Sequence, residues 1–409
     1  MLFDEFLRAT YWGEKKPAAE KVAKFKVIVI GGDISGLAAA VQFKRLGISF
    51  QVLERKRAIG GTWLLNTYPE ARVDTLSFLF QFRFVKNYPG SEYFASAGET
   101  QKYLEYVAEL YKVKDHFYFN REVVSYVWHE DESEWELTVK HANGESESMR
   151  CNAVVSGSGL FATPNKSDIE GMGDFQGVIF HTEKWDHSID HINKDVALVD
   201  TGSTGTQLTA SVAAKAKSLT VYQRTPNWIM NMEGYRAPID ETQLQYMQTY
   251  GKGWETKGGI INERNDLVRQ ALTFYITSKD EGIPGLREKI FPDYAPLVRR
   301  LVVDNGFYDV LRCGNVELVI DKIDSFTKTG IRSQDGAERN FDVVVLGTGF
   351  KVQQYFWPCK PVGRDGSTME ELWKKDGPRS HLGMSMTGFP NFFILYGPNN
   401  QPRSGGFYS

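Results

Sequence analysis

The patterned part of the chain opens with Phe25-Lys26-Val27-Ile28-Val29-Ile30, a nearly unbroken apolar run that stops at Gly31-Gly32. Leu37-Ala38-Ala39-Ala40-Val41 follows with helical composition, and Phe50-Gln51-Val52-Leu53 is a second apolar run ending in Glu54. Short β-branched runs bounded by glycine predict buried strands, so these residues predict a βαβ unit of about 30 residues. The pattern returns at Val196-Ala197-Leu198-Val199, a turn through Thr201-Gly202-Ser203-Thr204-Gly205, a helix from Gln207 to about Ala216, and a strand Leu219-Thr220-Val221-Tyr222. Residues 150–155, before Gly157-Ser158-Gly159, and 341–346, before Gly347-Thr348-Gly349, predict two further strands that return to the first sheet. The fold class is α/β, with two Rossmann-like three-layer dinucleotide-binding domains, the second inserted in the first.

The expected boundaries are an N-terminal arm over 1–24, a discontinuous first domain over 25–165 and 330–409, a connecting segment over 166–190, and a second domain over 191–329. Within the second domain, about 238–300 predicts a helical insert, because residues 263–272 mix charges with amphipathic spacing. Beyond the two βαβ units there is no internal repeat.

A chain of 409 residues exceeds what one hydrophobic core supports, in keeping with two domains. With 48 Lys+Arg against 51 Asp+Glu, the net charge of -3 offers no basic surface for nucleic acid or anionic lipid, and a small-molecule partner is expected. Cys151, Cys313 and Cys359 lie far apart and suit a reducing compartment. Residues 1–24 carry no apolar secretory core, and no stretch has membrane-spanning length, so a cytoplasmic location without membrane attachment is expected. The seven histidines show no metal-ligand spacing, and no metal is expected.

In such a unit, glycines permit the sharp turn and let the backbone approach a pyrophosphate, whose charge then lies at a helix N-terminus. Gly31 and Gly36 hold those positions in the first unit, and Glu54 follows Gly36 by about 20 residues, where an acid accepts ribose hydroxyls. In the second unit Gly202, Ser203, Thr204 and Gly205 form the turn, and Arg224, with Thr225, follows the second strand instead of an acid. An arginine there pairs with a 2′-phosphate and selects NADPH over NADH. The plainer alternatives are an ordinary glycine turn and a solvated surface arginine.

Residues 175–186 match the pattern F-x-G-x-x-x-H-T-x-x-W-[P/D] at Phe175, Gly177, His181, Thr182, Trp185 and Asp186. On this fingerprint the chain resembles the Baeyer-Villiger-type (class B) flavin monooxygenases, over roughly residues 25–400. Gly60-Gly61-Thr62-Trp63, with Asn66, Tyr68-Pro69, Arg72 and Asp74, is similar to the family's loop against the flavin. Residues 223–228 are similar to its NADPH-binding strand end, Gly347-Thr348-Gly349-Phe350 to its last FAD contact, and 388–392 to a late strand. The resemblance implies FAD and NADPH as cofactors and O₂ as co-substrate, with oxidation of a ketone to an ester or lactone. It implies that Arg300 stabilises a peroxide anion, that Asp74 orients Arg300, and that Arg299 contacts the NADPH phosphate. A fixed guanidinium suits that task because it cannot lose its proton. His181, taken alone, is expected to be a hydrogen-bonded residue in an interdomain hinge rather than a catalyst.

Three acids depart from the family's pattern. Asp33 stands where the first motif has its second glycine, Asp200 where the second motif opens, and Glu70 where the flavin loop reads Pro-Gly. In the family that the chain resembles, a further helix follows the segment matching Gly397-Pro398-Asn399, whereas the sequence here runs only to Ser409. These departures motivate two alternatives: a flavin-independent relative catalysing a cyclisation, isomerisation or rearrangement in secondary metabolism, and a non-catalytic partner subunit. Aromatic clusters at 78–82 and 355–357 would suit a bulky apolar substrate, although such clusters are more often core.

Overall fold

The computed structural model describes residues 17–85, 88–166, 168–231, 263–280, 282–296, 298–356 and 358–400. Strand Lys26–Ile30 pairs in parallel with Ser49–Glu54 on one side and Ala153–Ser156 on the other. Phe117–Phe119 and Phe392–Ile394 complete this five-stranded parallel sheet. Four of the five residues of Lys26–Ile30 are buried, as expected of a parallel strand covered on both faces. Helix Ile34–Leu46 packs Leu37, Ala40 and Val41 against Val27, Val29 and Val52.

A second parallel sheet runs in the order Val316–Val319, Ser218–Tyr222, Asp195–Val199, Val343–Leu346, Val178–His181. All five strands lie in sequence between the fourth and fifth strands of the first sheet, so the second unit is inserted in the first.

Three expectations need correction. The strand over 341–346 does not return to the first sheet: Val343–Leu346 sits between Asp195–Val199 and Val178–His181 in the second. A continuous apolar run satisfies any doubly covered parallel sheet, so its composition predicts a strand without choosing its neighbours. The fingerprint is likewise no plain connector, since Val178–His181 forms the edge of the second sheet. Residues 150–155 divide at Asn152: Ser146–Cys151 belongs to an antiparallel meander with Arg121–His129 and Glu134–His141, and only Ala153–Ser156 joins the first sheet.

The helix of the second unit spans Ser203–Ala213, starting nearer the turn than its composition indicated. Glu263–Asp280 is helical, as its spacing predicts, and Leu286–Ile290 follows. Residues 238–262 of the expected insert and 1–16 of the arm lie outside the described residues. Among the described residues, no helix is long and apolar enough to cross a membrane.

Candidate active site

The first turn is built for glycine. Gly31 has φ +97°, a Cβ on Gly36 would lie 1.8 Å from Gly31 O, and one on Gly31 would lie 2.5 Å from Gly157 O. Glu54 is only 5% exposed and accepts the Gly32 amide at 2.5 Å and the Lys56 amide at 2.7 Å, which braces the turn. Asp33 caps helix Ile34–Leu46: Oδ1 accepts from Ile34 N at 2.8 Å and Oδ2 from Thr62 N at 3.1 Å. Burial pushes its carboxyl up to about 6, against the two amide bonds, and the neighbouring Glu54 adds to the rise. A Cβ on Gly61, itself at φ +47°, would lie 2.3 Å from Asp33 Oδ2, so carboxylate and loop meet directly. From there Thr62 opens the helical turn Thr62–Leu65, and Trp63 packs edge-on against Phe80 at 5.4 Å.

The second turn has the same construction. A Cβ on Gly205 would lie 2.2 Å from Asp200 O, while Gly202 caps the helix whose first turn carries Ser203 and Thr204. Asp200 adopts φ +92°, strained for a residue with a side chain, and its Oδ1 accepts from Thr201 N at 2.8 Å. Burial raises its carboxyl, and Arg224 opposes that rise. Arg224 is exposed and Thr225 half-buried, immediately beyond strand Ser218–Tyr222. Arg299 stacks its guanidinium over the Tyr294 ring at 4.9 Å.

Residues remote in sequence join the two units. Arg300 Nη2 donates to Asp74 Oδ1 at 2.6 Å across 226 positions, pairing a half-exposed guanidinium with a more buried carboxylate. Burial raises Asp74, and Arg300 counteracts it. Tyr68 donates its hydroxyl to Gln207 Oε1 at 3.0 Å, Gln207 Nε2 donates to Arg72 O at 3.2 Å, and Asn305 Nδ2 donates to Gln207 O at 3.2 Å. Sequence reasoning missed Gln207 and Asn305, since an amide within a helix or after a strand carries no motif. It also missed an open cleft of about 500 Å³ lined by Arg57, Trp63, Tyr68, Glu70, Arg72 and Gln101. Glu70, at φ +67°, pairs with Arg72 at 3.3 Å, and Arg72 also reaches Glu92 at 2.5 Å.

The fingerprint residues have separate structural duties. Phe175 is buried edge-on against Phe326, and Gly177 leaves the room that Phe175 and Asp342 O require. His181 Nδ1 accepts from Glu183 N at 3.1 Å, so its Nε2–H faces Gly349 O at 3.0 Å. Burial lowers its affinity for a proton, in keeping with a neutral ring. Gly349 therefore lies against the fingerprint at the end of a second-sheet strand, where Asn165 N also binds its carbonyl at 2.8 Å. Thr182 is buried, Trp185 packs edge-on against Phe180 at 5.2 Å, and Asp186 Oδ1 accepts from Ser188 N at 2.8 Å. His187, just past the fingerprint, meets Thr67 Oγ1 at 3.0 Å and so reaches the first unit.

The glycine-only bends, the helix starts beyond them and buried Glu54 fit a dinucleotide at each turn, with Asp33 and Asp200 as the groups out of place. Two such turns brought to one junction form the layout of an oxidoreductase that passes electrons from one dinucleotide to another. The flavin-binding monooxygenase-like family matches residues 24–362, and the chain belongs to that family. A Baeyer-Villiger monooxygenase of Pseudomonas aeruginosa is 32% identical over 400 residues, which cover 94% of this chain and 74% of that protein. A monooxygenase of Sinorhizobium fredii is 29% identical over 400 residues, and there the match spans 92% of this chain and 60% of the relative's length. Among solved structures, OTEMO in complex with FAD and NADP superposes with a TM-score of 0.81 at 27% identity, covering 92% of this chain and 81% of that one. These likenesses bear out the class B flavin monooxygenase resemblance read from the fingerprint.

Proposed function

We propose that the chain is an FAD- and NADPH-dependent Baeyer-Villiger monooxygenase that converts a bulky apolar ketone to an ester or lactone. The balanced reaction consumes ketone, O₂, NADPH and a proton, and yields the ester, NADP⁺ and water. The flavin supplies oxygen activation and the nicotinamide supplies hydride. Gly31, Gly36, Glu54, Gly61, Thr62 and Trp63 would hold the flavin nucleotide, and Gly202, Ser203, Thr204, Gly205, Arg224, Thr225 and Arg299 the nicotinamide nucleotide. Arg300 presents a permanent positive charge where negative charge develops, and Asp74 fixes its position. The 2.6 Å pair between these two residues, from separate parts of the chain, is the observation that carries the reading. His181, held neutral on Gly349, couples the two connections between the units. A cytoplasmic setting belongs to the same proposal.

A visible absorbance spectrum of the purified protein tests it, followed by NADPH consumption with and without a ketone. Flavin bands and ketone-dependent turnover are expected; a colourless protein indifferent to added FAD and NADPH refutes the reading. Asp33 and Asp200, each bonded into a phosphate turn, favour a second reading as a flavin-independent relative. Substrate turnover without flavin, NADPH or oxygen would establish that one instead.

A further inference from the structure

The first nucleotide turn already holds an anion of the chain's own. Asp33 stands at the start of helix Ile34–Leu46, and its two carboxylate oxygens take the Ile34 and Thr62 amides. These amides come from two different segments, the start of the helix and the loop over 60–63. A helix start with free amides is where the pyrophosphate of a dinucleotide lies. The carboxylate is also wedged against Gly61, where a Cβ would come within 2.3 Å of Oδ2.

We propose that Asp33 is an internal stand-in for the dinucleotide phosphate, so that FAD enters the first site only by displacing this carboxylate from the Ile34 and Thr62 amides. The inference rests on the flavin-dependent reading above. It assigns to one residue the control of how tightly the flavin is held, separately from the chemistry that follows.

The surroundings set the direction of a pH effect. From the second strand Glu54 faces Asp33 with like charge, from the 60–63 loop Thr62 offers its amide and hydroxyl, and from the helix Ile34 offers its amide. Burial raises the carboxyl to about 6, so it is ionised at pH 8 and largely neutral at pH 5. A neutral carboxyl neither competes for the amides as strongly nor repels a phosphate. FAD therefore binds more tightly at the lower pH.

The test is FAD affinity by flavin fluorescence on the full chain stripped of flavin, at pH 8 and pH 5.5, for wild type, Asp33→Gly and Asp33→Asn. At pH 8, Asp33→Gly is expected to bind at least about tenfold more tightly than wild type, which corresponds to about 1.4 kcal/mol. Wild type should gain affinity between pH 8 and pH 5.5, by more than Asp33→Asn does. Asp33→Asn keeps the shape of the side chain, and so guards against a glycine variant that folds poorly. If wild type binds FAD as tightly as both variants at pH 8, the inference is overturned while the flavin reading stands. If no form binds FAD at either pH, the flavin reading falls and takes the inference with it.

Discussion

The Tyr68 hydroxyl lies 3.0 Å from Gln207 Oε1, which fastens the loop carrying Tyr68 to helix Ser203–Ala213. Burial raises the phenol to about 12, so it stays protonated and donates throughout the physiological range. Tyr68→Phe removes one partly buried hydrogen bond and leaves the Gln207 side-chain carbonyl without this donor, a loss of about 1 kcal/mol. Thermal unfolding should report a midpoint lower by a few degrees for the phenylalanine variant. An unchanged midpoint would mean that the contact does not stabilise the junction.

Arg300 and Asp74 should separate chemistry from binding. Removal of a preorganised charge from a site of developing negative charge typically costs about 10²–10³ in rate. Arg300→Ala should therefore lose ketone oxidation by about that factor, yet keep the flavin content of wild type. Asp74→Asn removes the partner rather than the charge and should lose less. Equal activity of Arg300→Ala and wild type in a coupled product assay would remove Arg300 from the chemistry.

The first turn should reject any side chain at position 36. A Cβ there would sit 1.8 Å from the Gly31 carbonyl oxygen, within the backbone that shapes the turn. Gly36→Ala is expected to destabilise by more than about 3 kcal/mol, beyond the range of ordinary surface substitutions. Gly98→Ala serves as the contrast, since that glycine lies in helix Ala97–Leu110 with open space around its would-be Cβ. This change should be neutral or stabilising by up to about 1 kcal/mol. Urea unfolding of the two variants decides the matter.

Stability should fall as pH rises through the titration of Asp33. Its carboxyl titrates near 6 in the folded chain, above the ordinary 3.8, so the folded state binds the extra proton between those values. Linkage then favours folding at the acidic end of that window, and the benefit is lost as pH climbs through about 6. Melting temperatures from pH 4.5 to pH 7 should show this decline in wild type relative to Asp33→Asn. A parallel trend in both proteins would assign the pH dependence to other groups.

Local grammar made much of this molecule legible. Residues 27–30 and 196–199 were readable because a strand segment covered on both faces must be apolar, and Gly31 and Gly205 because a turn that tight excludes a Cβ. Pairing was not legible. Val343–Leu346 reads as a strand for either sheet, and only its packing beside Asp195–Val199 settles its place. Asp33 showed as an acid at a glycine position, but its bond to Thr62 lies 29 positions away and follows from tertiary folding. Gln207 and Asn305 gain their importance wholly from what the fold brings against them.

The polypeptide passes between the two sheets twice, once outward between Ala153–Ser156 and Val178–His181, and once back between Val343–Leu346 and Phe392–Ile394. His181 and Gly349 bond at the point where these passages run side by side. A molecule tethered by paired straps can swing about the line they define but cannot swivel freely, as a single tether would allow. A protease that severs one strap under native conditions should therefore leave a nicked protein that still migrates as one particle.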